Sequence, residues 1–351
     1  MPTQDVPTDV VAPIEVWVQS VPEPGIAVAF AQRAEAAGWD GVVVTDSQNL
    51  TGDPYVGLVI MGGATARLGL ATGVTNPVTR HPAATATAIA TVQEYCGGRA
   101  VLGIGRGDSA LFHLGLEPAP VAVLERYLEM LGGYLRGHDV DLGGHPSRLR
   151  WLERATQPRV PIDVAATGPR VIAAAARLAD RVTFAVGADA DRIRWGIDLA
   201  RAARAEAGLD PDAMGFGAFV NVAPHPSAAT GVELLRGAIG TVAHFSGMAG
   251  SSPDGQRPED RRVFEQLHAT YDRANHTLAR ARHASALDAA FVGRFGVAGP
   301  PARCLDRLGE LTDAGLERLV VIGPSIDADP DERRRSNRMM ADEVLPALQG
   351  R

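Results

Sequence analysis

The stretch Ile14–Thr45, IEVWVQSVPEPGIAVAFAQRAEAAGWDGVVVT, holds the unit from which most of the chain is built. A β-branched run at 14–20 passes into an alanine-rich segment of helical period, and a second such run follows at 40–45. That succession is how a parallel βαβ unit is written in sequence. Ile26, Phe30, Ala34 and Ala37 recur at helical spacing and Gly38 closes the segment, which predicts a helix that packs this face on the sheet. Further runs at 68–74, 99–105, 160–166, 181–186, 214–222 and 317–322 bring the strand count to eight. Eight strands with mostly helical connections favour closure into an α/β fold of the (β/α)8 TIM-barrel type. A doubly wound open sheet, the competing architecture, calls for a phosphate-binding turn after the first strand, and VPEPG stands there instead.

The pattern is interrupted at about 137–158, after the fourth helix, and at about 226–298, after the seventh strand. The 351 residues therefore read as one barrel domain with two insertions. Loops following the strands of a barrel carry its function, so the second insertion is the expected substrate cover; a helical pair that supports a dimer is the other reading.

Composition excludes several classes. With 46% hydrophobic and 21% charged residues the chain reads as globular. A formal charge of −7 disfavours nucleic acid as a partner. No run is long enough to span a bilayer, and Met1–Pro13 lacks the basic-then-apolar build of a secretory signal, so a cytoplasmic protein is expected. All 34 Lys and Arg positions are arginine. That removes Schiff-base lysine chemistry, pyridoxal phosphate enzymes and P-loops. Cys96 and Cys304 have no CxxC spacing and the nine histidines no HExxH, so no metal site is expected. Asp327–Asp331 lacks the glycine and glutamate of a calcium loop and reads as an acidic helix start.

Chemistry-bearing residues gather where strands end. Thr45-Asp46-Ser47-Gln48-Asn49 follows the second strand, as ligand contacts or as an Asx turn. The third leads into Thr72-Gly-Val-Thr-Asn-Pro-Val-Thr-Arg-His-Pro82, a dense polar loop before a helix opened by proline. In the fourth, Arg99–Asp108, the alternating Gly103, Gly105 and Gly107 permit close backbone approach. This is no dinucleotide fingerprint, because Asp108 occupies the last glycine position. The fifth ends Ala165-Ala-Thr-Gly-Pro-Arg170, where a helix start would attract an anion or simply be capped.

Taken in order, TGVTNPVTRHP, CGGRAVLGIGRGD, ATGPR and AGPPARCLDRLGELTDAGLERLVVIGPS resemble the methylenetetrahydromethanopterin reductases, within the F420-dependent branch of the luciferase-like superfamily. The resemblance implies an oxidoreductase that passes a hydride between coenzyme F420 and a small organic substrate, acting as a homodimer. It implies a cis peptide at Gly73–Val74 behind the deazaflavin ring, with Thr72, Thr75 and Asn76 beside it. Arg106, Gly107 and Asp108 would lie near the cofactor, Ala166, Thr167, Gly168 and Pro169 would hold its phosphate-bearing tail, and Asp46 would face the polar end of the ring. At the proton-handling positions this chain departs from its relatives, with Gln19 in place of a glutamate and Ser47 in place of a histidine. Neither titrates near neutrality, so the substrate is expected to differ. A luciferase-like monooxygenase using FMN, and a non-catalytic cofactor-binding protein, are the competing functions. A β-branched side chain at Gly73 is expected to intrude on the ring face and to weaken cofactor binding more than stability.

Overall fold

A computed structural model describes residues 14–247 and 256–350, so the reading of Met1–Pro13 and of residues 248–255 in the second insertion falls outside the described residues. The eight expected strands are present: β1 (Glu15–Ser20), β2 (Gly41–Val44), β3 (Gly69–Thr72), β4 (Ala100–Ile104), β5 (Ile162–Ala166), β6 (Arg181–Phe184), β7 (Gly215–Pro224) and β8 (Arg318–Ile322). Each runs parallel to its neighbours. The pairing of Arg181 with Gly215 joins β6 to β7, and that of Glu15 with Arg318 joins β8 to β1, so the sheet closes as a barrel. A short strand, Val297–Gly299, also pairs with β7. Three residues at the end of an insertion are too few to show a strand period, which is why the sequence did not announce it.

The first helix, Pro24–Ala36, ends as expected with Gly38 in the left-handed region at φ +89°. Its buried face is shifted from the expected one: Ala27, Ala31 and Ala34 meet the sheet, while Ile26 is 44% exposed. Alanines let the helix lie close to the strands, and spacing alone gave too much weight to the larger side chains. Asp329 accepts hydrogen bonds from the Asp331 and Glu332 amides and caps the helix Pro330–Met339, so the acidic run is a helix start.

Inside the barrel, Trp17, Val43, Ala71, Val101 and Val320 pack together with Phe219. A polar cluster lies in the same interior. The Thr183 hydroxyl donates to Asp163 at 2.7 Å, and the Arg318 guanidinium lies 3.5 Å from Asp163 and 4.2 Å over the Trp17 ring. A buried charge of this kind persists only when paired.

The two insertions lie at opposite ends. Residues 137–158 form a hairpin, Val140–Asp141 with Pro146–Ser147, and a 3₁₀ turn, Arg150–Arg154. They connect a helix to the start of β5 and so belong to the face at the N-terminal ends of the strands. The second insertion follows the C-terminal end of β7 and carries the helices Ala228–Ser246, Pro258–Thr270 and Ala289–Phe295. It has a core of its own, with Leu235, Ile239, Phe264, Phe291 and Phe295.

β3 and β4 approach closely at Gly103. A Cβ there would lie 2.0 Å from the Thr72 carbonyl oxygen, and the Thr72 hydroxyl already donates to the Gly103 carbonyl at 2.7 Å. Backbone cannot yield as a side chain can. Gly103→Ala should therefore destabilise the protein by about 3 kcal/mol, at the upper end of ordinary overpacking costs. Urea unfolding measures this, and an unchanged midpoint would contradict the close approach.

Candidate functional site

Strand alternation carries the inward positions up to the C-terminal mouth of the barrel. Two residues beyond Trp17, Val43, Ala71, Asp163, Thr183 and Phe219 stand Gln19, Thr45, Gly73, Ala165, Ala185 and Asn221. These six of the eight positions of the upper ring are small or polar, with Gly103 and Ile322 at the corresponding positions of β4 and β8. Thr45 Oγ1 and Asn221 Nδ2 are buried there without a hydrogen-bonding partner. Buried polar atoms are paired in the great majority of cases, so two orphans at one mouth mark the place of a polar ligand. Thr45 opens the stretch expected to hold ligand contacts, whereas Asn221 was not singled out from sequence; its signal was a lone amide within the apolar run FVNVA.

One contiguous network holds several of the expected residues. The peptide bond Gly73–Val74 is cis, as the resemblance implied. The Thr75 amide donates to the Gly103 carbonyl and the Gly105 amide to the Thr75 carbonyl, each at 2.9 Å, tying the turn after β3 to β4. Asp46, 4% exposed, accepts from the Thr75 hydroxyl and from Gln48 Nε2, both at 2.7 Å. Burial raises its pKa above the ordinary aspartate value, and the Thr75 hydrogen bond partly offsets that. Asn76 turns its Oδ1 back to the amides of Val78 and Thr79, at 3.0 Å each, and so organises its own loop. The Thr72, Thr75 and Asn76 side chains thus have partners within the protein.

Gly107, at φ +82°, lies against Asn76 and Leu111. The next residue, Asp108, does not cap the helix Ser109–Phe112 that it precedes. Its carboxylate turns to the second insertion, 3.6 Å from His244 Nε2 and 3.3 Å from Arg273 Nε. Burial opposes its ionisation, but the proximity of His244, with the charges of Arg273 and His276, holds it below the usual carboxylate range. Arg273 also lies 5.6 Å over the Phe112 ring, so this insertion reaches the mouth at β4. His244, Tyr271 and Arg273 were missed in sequence because the insertion carries no motif and lies more than a hundred residues beyond Asp108.

Around the rim, the Ser47 carbonyl accepts the turn of Leu50 and Thr51, leaving Ser47 in a bend after Asp46. Ala166 is buried at the end of β5. Thr167 and Gly168 lead into the helix Pro169–Leu178, whose start no side chain caps. Arg106 is half-buried with Nε 2.5 Å from the Ala119 carbonyl, and its pKa is lowered first by burial and then by the charge of Arg170. Two guanidiniums near an uncapped helix start make an electropositive patch. A side chain at Gly73 would meet Val43 Cβ at 2.8 Å and so would load the barrel interior, a cost to stability that spacing did not reveal.

Among the described residues no group of His, Cys, Asp or Glu is placed to hold a metal ion, and no helix is long and apolar enough to cross a membrane.

The family model described as luciferase-like monooxygenase matches residues 7–318. The chain belongs to that family, a group of oxidoreductases. It is 28% identical over 327 residues to the 5,10-methylenetetrahydromethanopterin reductase of Archaeoglobus fulgidus, covering 91% of this chain and 94% of the relative. The reductase of the same name from Methanolobus tindarius is 37% identical over 131 residues, covering 36% of this chain and 40% of the relative. Among solved structures, the coenzyme F420 dependent tetrahydromethanopterin reductase from Methanopyrus kandleri matches with a TM-score of 0.73 at 21% identity, covering 96% of this chain and 100% of that one.

The Asp46 carboxyl should titrate above the ordinary aspartate value in carboxyl 13C NMR, and higher still in Thr75→Val, because removing a donor to the carboxylate disfavours its charged form. A fall in the variant would contradict the assigned hydrogen bond.

Proposed function

We propose that this protein is an F420-dependent oxidoreductase that transfers a hydride between the deazaflavin and a small organic substrate. The observation that carries the reading is the mouth ring of small and polar positions, with the Thr45 and Asn221 orphans, set beside the Gly73–Val74 turn. The polar edge of a heteroaromatic ring would pair with those two orphans. The similarity to the Archaeoglobus reductase along 91% of the chain supports the deazaflavin over FMN.

In this reading Gly73 and Val74 back the ring, Thr45, Asp46 and Asn221 face its polar edge, and Gly107 and Asp108 bound its other side. Ala166, Thr167, Gly168 and Pro169, with Arg106 and Arg170, hold the phosphate of the tail. The bound deazaflavin supplies two-electron hydride chemistry, and the protein supplies position and proton management. Gln19 and Ser47 take no part in proton transfer and line the substrate side, which separates the substrate from that of the reductases. The chain works as one barrel domain and assembles as a homodimer.

A paired titration of intrinsic tryptophan fluorescence tests this. F420 should bind more tightly than FMN; preference for FMN would assign the protein to monooxygenase chemistry, and binding of neither would overturn the cofactor site. Arg170→Ala, an exposed change, should weaken F420 binding about fivefold (~1 kcal/mol) with little effect on unfolding. Light scattering after size-exclusion chromatography should give about twice the 36.8 kDa chain mass, and a monomer would refute the dimer.

A further inference from the structure

The second insertion brings an imidazole to the mouth of the barrel. His244, on the helix Ala228–Ser246, is 4% exposed, and both of its ring nitrogens are buried without a hydrogen-bonding partner. Nε2 turns to Asp108 at 3.6 Å. The Tyr271 ring is stacked on the imidazole at 3.6 Å between centroids and 2° between planes, and holds it flat. Tyr271 OH is a further buried atom without a hydrogen-bonding partner in the same cluster, and Arg273 Nε and Asp108 Oδ1 face each other as an ion pair at 3.3 Å. Leaving such atoms unmatched costs about 1–3 kcal/mol each, so their concentration at one spot points to a polar ligand that pairs with them.

Asp108 adjoins Gly107, which packs on Asn76 in the turn after β3. The cluster therefore borders the mouth where the proposed function seats the deazaflavin. Any hydride transfer to a carbonyl carbon needs a proton at its oxygen, and Gln19 and Ser47 cannot give one. Around the same loops Leu50, Phe112, Leu114 and Leu116 stand exposed, which suits a substrate with an apolar body.

We propose that His244, oriented by Asp108, is the proton donor and acceptor of the reaction, and that the substrate is a neutral, apolar-bodied ketone or the corresponding secondary alcohol. This rests on the F420 reading above. In reduction, the carbonyl carbon takes the hydride of the reduced deazaflavin as the C–O π bond opens, and its oxygen takes the proton of the imidazolium. New C–H and O–H bonds form and the deazaflavin is oxidised by two electrons. The ring proton that the deazaflavin loses goes to solvent, from which His244 is reprotonated. Oxidation of the alcohol runs the same steps backwards, with neutral imidazole as the base.

The groups facing His244 are Asp108 from the end of β4, His268 from the helix Pro258–Thr270, and Tyr271, Arg273, His276 and His283 from the segment beyond it. Of these, Arg273 is the cationic partner of Asp108, and burial holds His283 towards its neutral form. Because the step consumes a proton of the imidazolium, reduction should slow as pH rises.

The test uses the full-length protein with cyclohexanone and 2-octanone as probes. In histidine ring 15N NMR, at least one ketone should shift the His244 signals and leave those of His225, paired with Glu332 elsewhere, in place. Oxidation of reduced F420 by that ketone should fall at least a hundredfold in His244→Gln and lose its pH limb, with F420 affinity unchanged. Asp108→Asn should lower the rate and shift the His244 ring 15N signals in the absence of ketone, because it removes the group that orients the imidazole. Unmoved His244 signals with both ketones, or a His244→Gln variant that turns over with the wild-type pH profile, overturns the assignment while F420 binding leaves the cofactor reading standing. Failure of the wild-type protein to bind F420 removes both.

Discussion

The site depends on how closely two strands approach. At the ends of β3 and β4 the Thr72 carbonyl and the Gly103 backbone leave no room for a single methyl group. Glycine is the residue that allows this contact, and the contact allows the Thr75 amide and carbonyl to bond to β4 across the Gly73–Val74 turn. Thr75 in turn holds Asp46, so the ends of β2, β3 and β4 form one hydrogen-bonded unit. A strand-end turn of this kind is built from backbone, and its shape changes little with the side chains around it.

The opposite half of the mouth is made differently. β7 is long, and the chain that leaves it returns over the barrel as an insertion with its own apolar core. What it presents to β4 is a set of titratable and polar groups, His244, Tyr271 and Arg273, gathered on Asp108. The barrel end is tied together by backbone hydrogen bonds, and the insertion, with its own core, brings side chains to it.

The barrel was legible because each strand is a short β-branched run and each connection a helix-length alanine-rich segment, a pattern that survives without knowledge of any contact. The turn at Gly73–Val74 and the glycines of β4 were legible as motifs. The buried face of the first helix was not, because alanine against sheet is decided by how near the helix can approach rather than by hydrophobic size. The role of Asp108 was out of reach for a different reason: its partners lie in the second insertion, and sequence spacing carries no information about which segment folds back over a given strand end. Thr45 and Asn221 show an intermediate case. Their inward direction follows from strand parity, but that they lack partners is visible only in three dimensions.

The most direct measurement is a crystal structure of the protein grown with F420. The account predicts the ring against Gly73 and Val74, its polar edge within hydrogen-bonding distance of Thr45 or Asn221, and its phosphate at the start of the helix Pro169–Leu178. Density for the deazaflavin at any other place on the barrel, with Thr45 and Asn221 still unpaired, would contradict it.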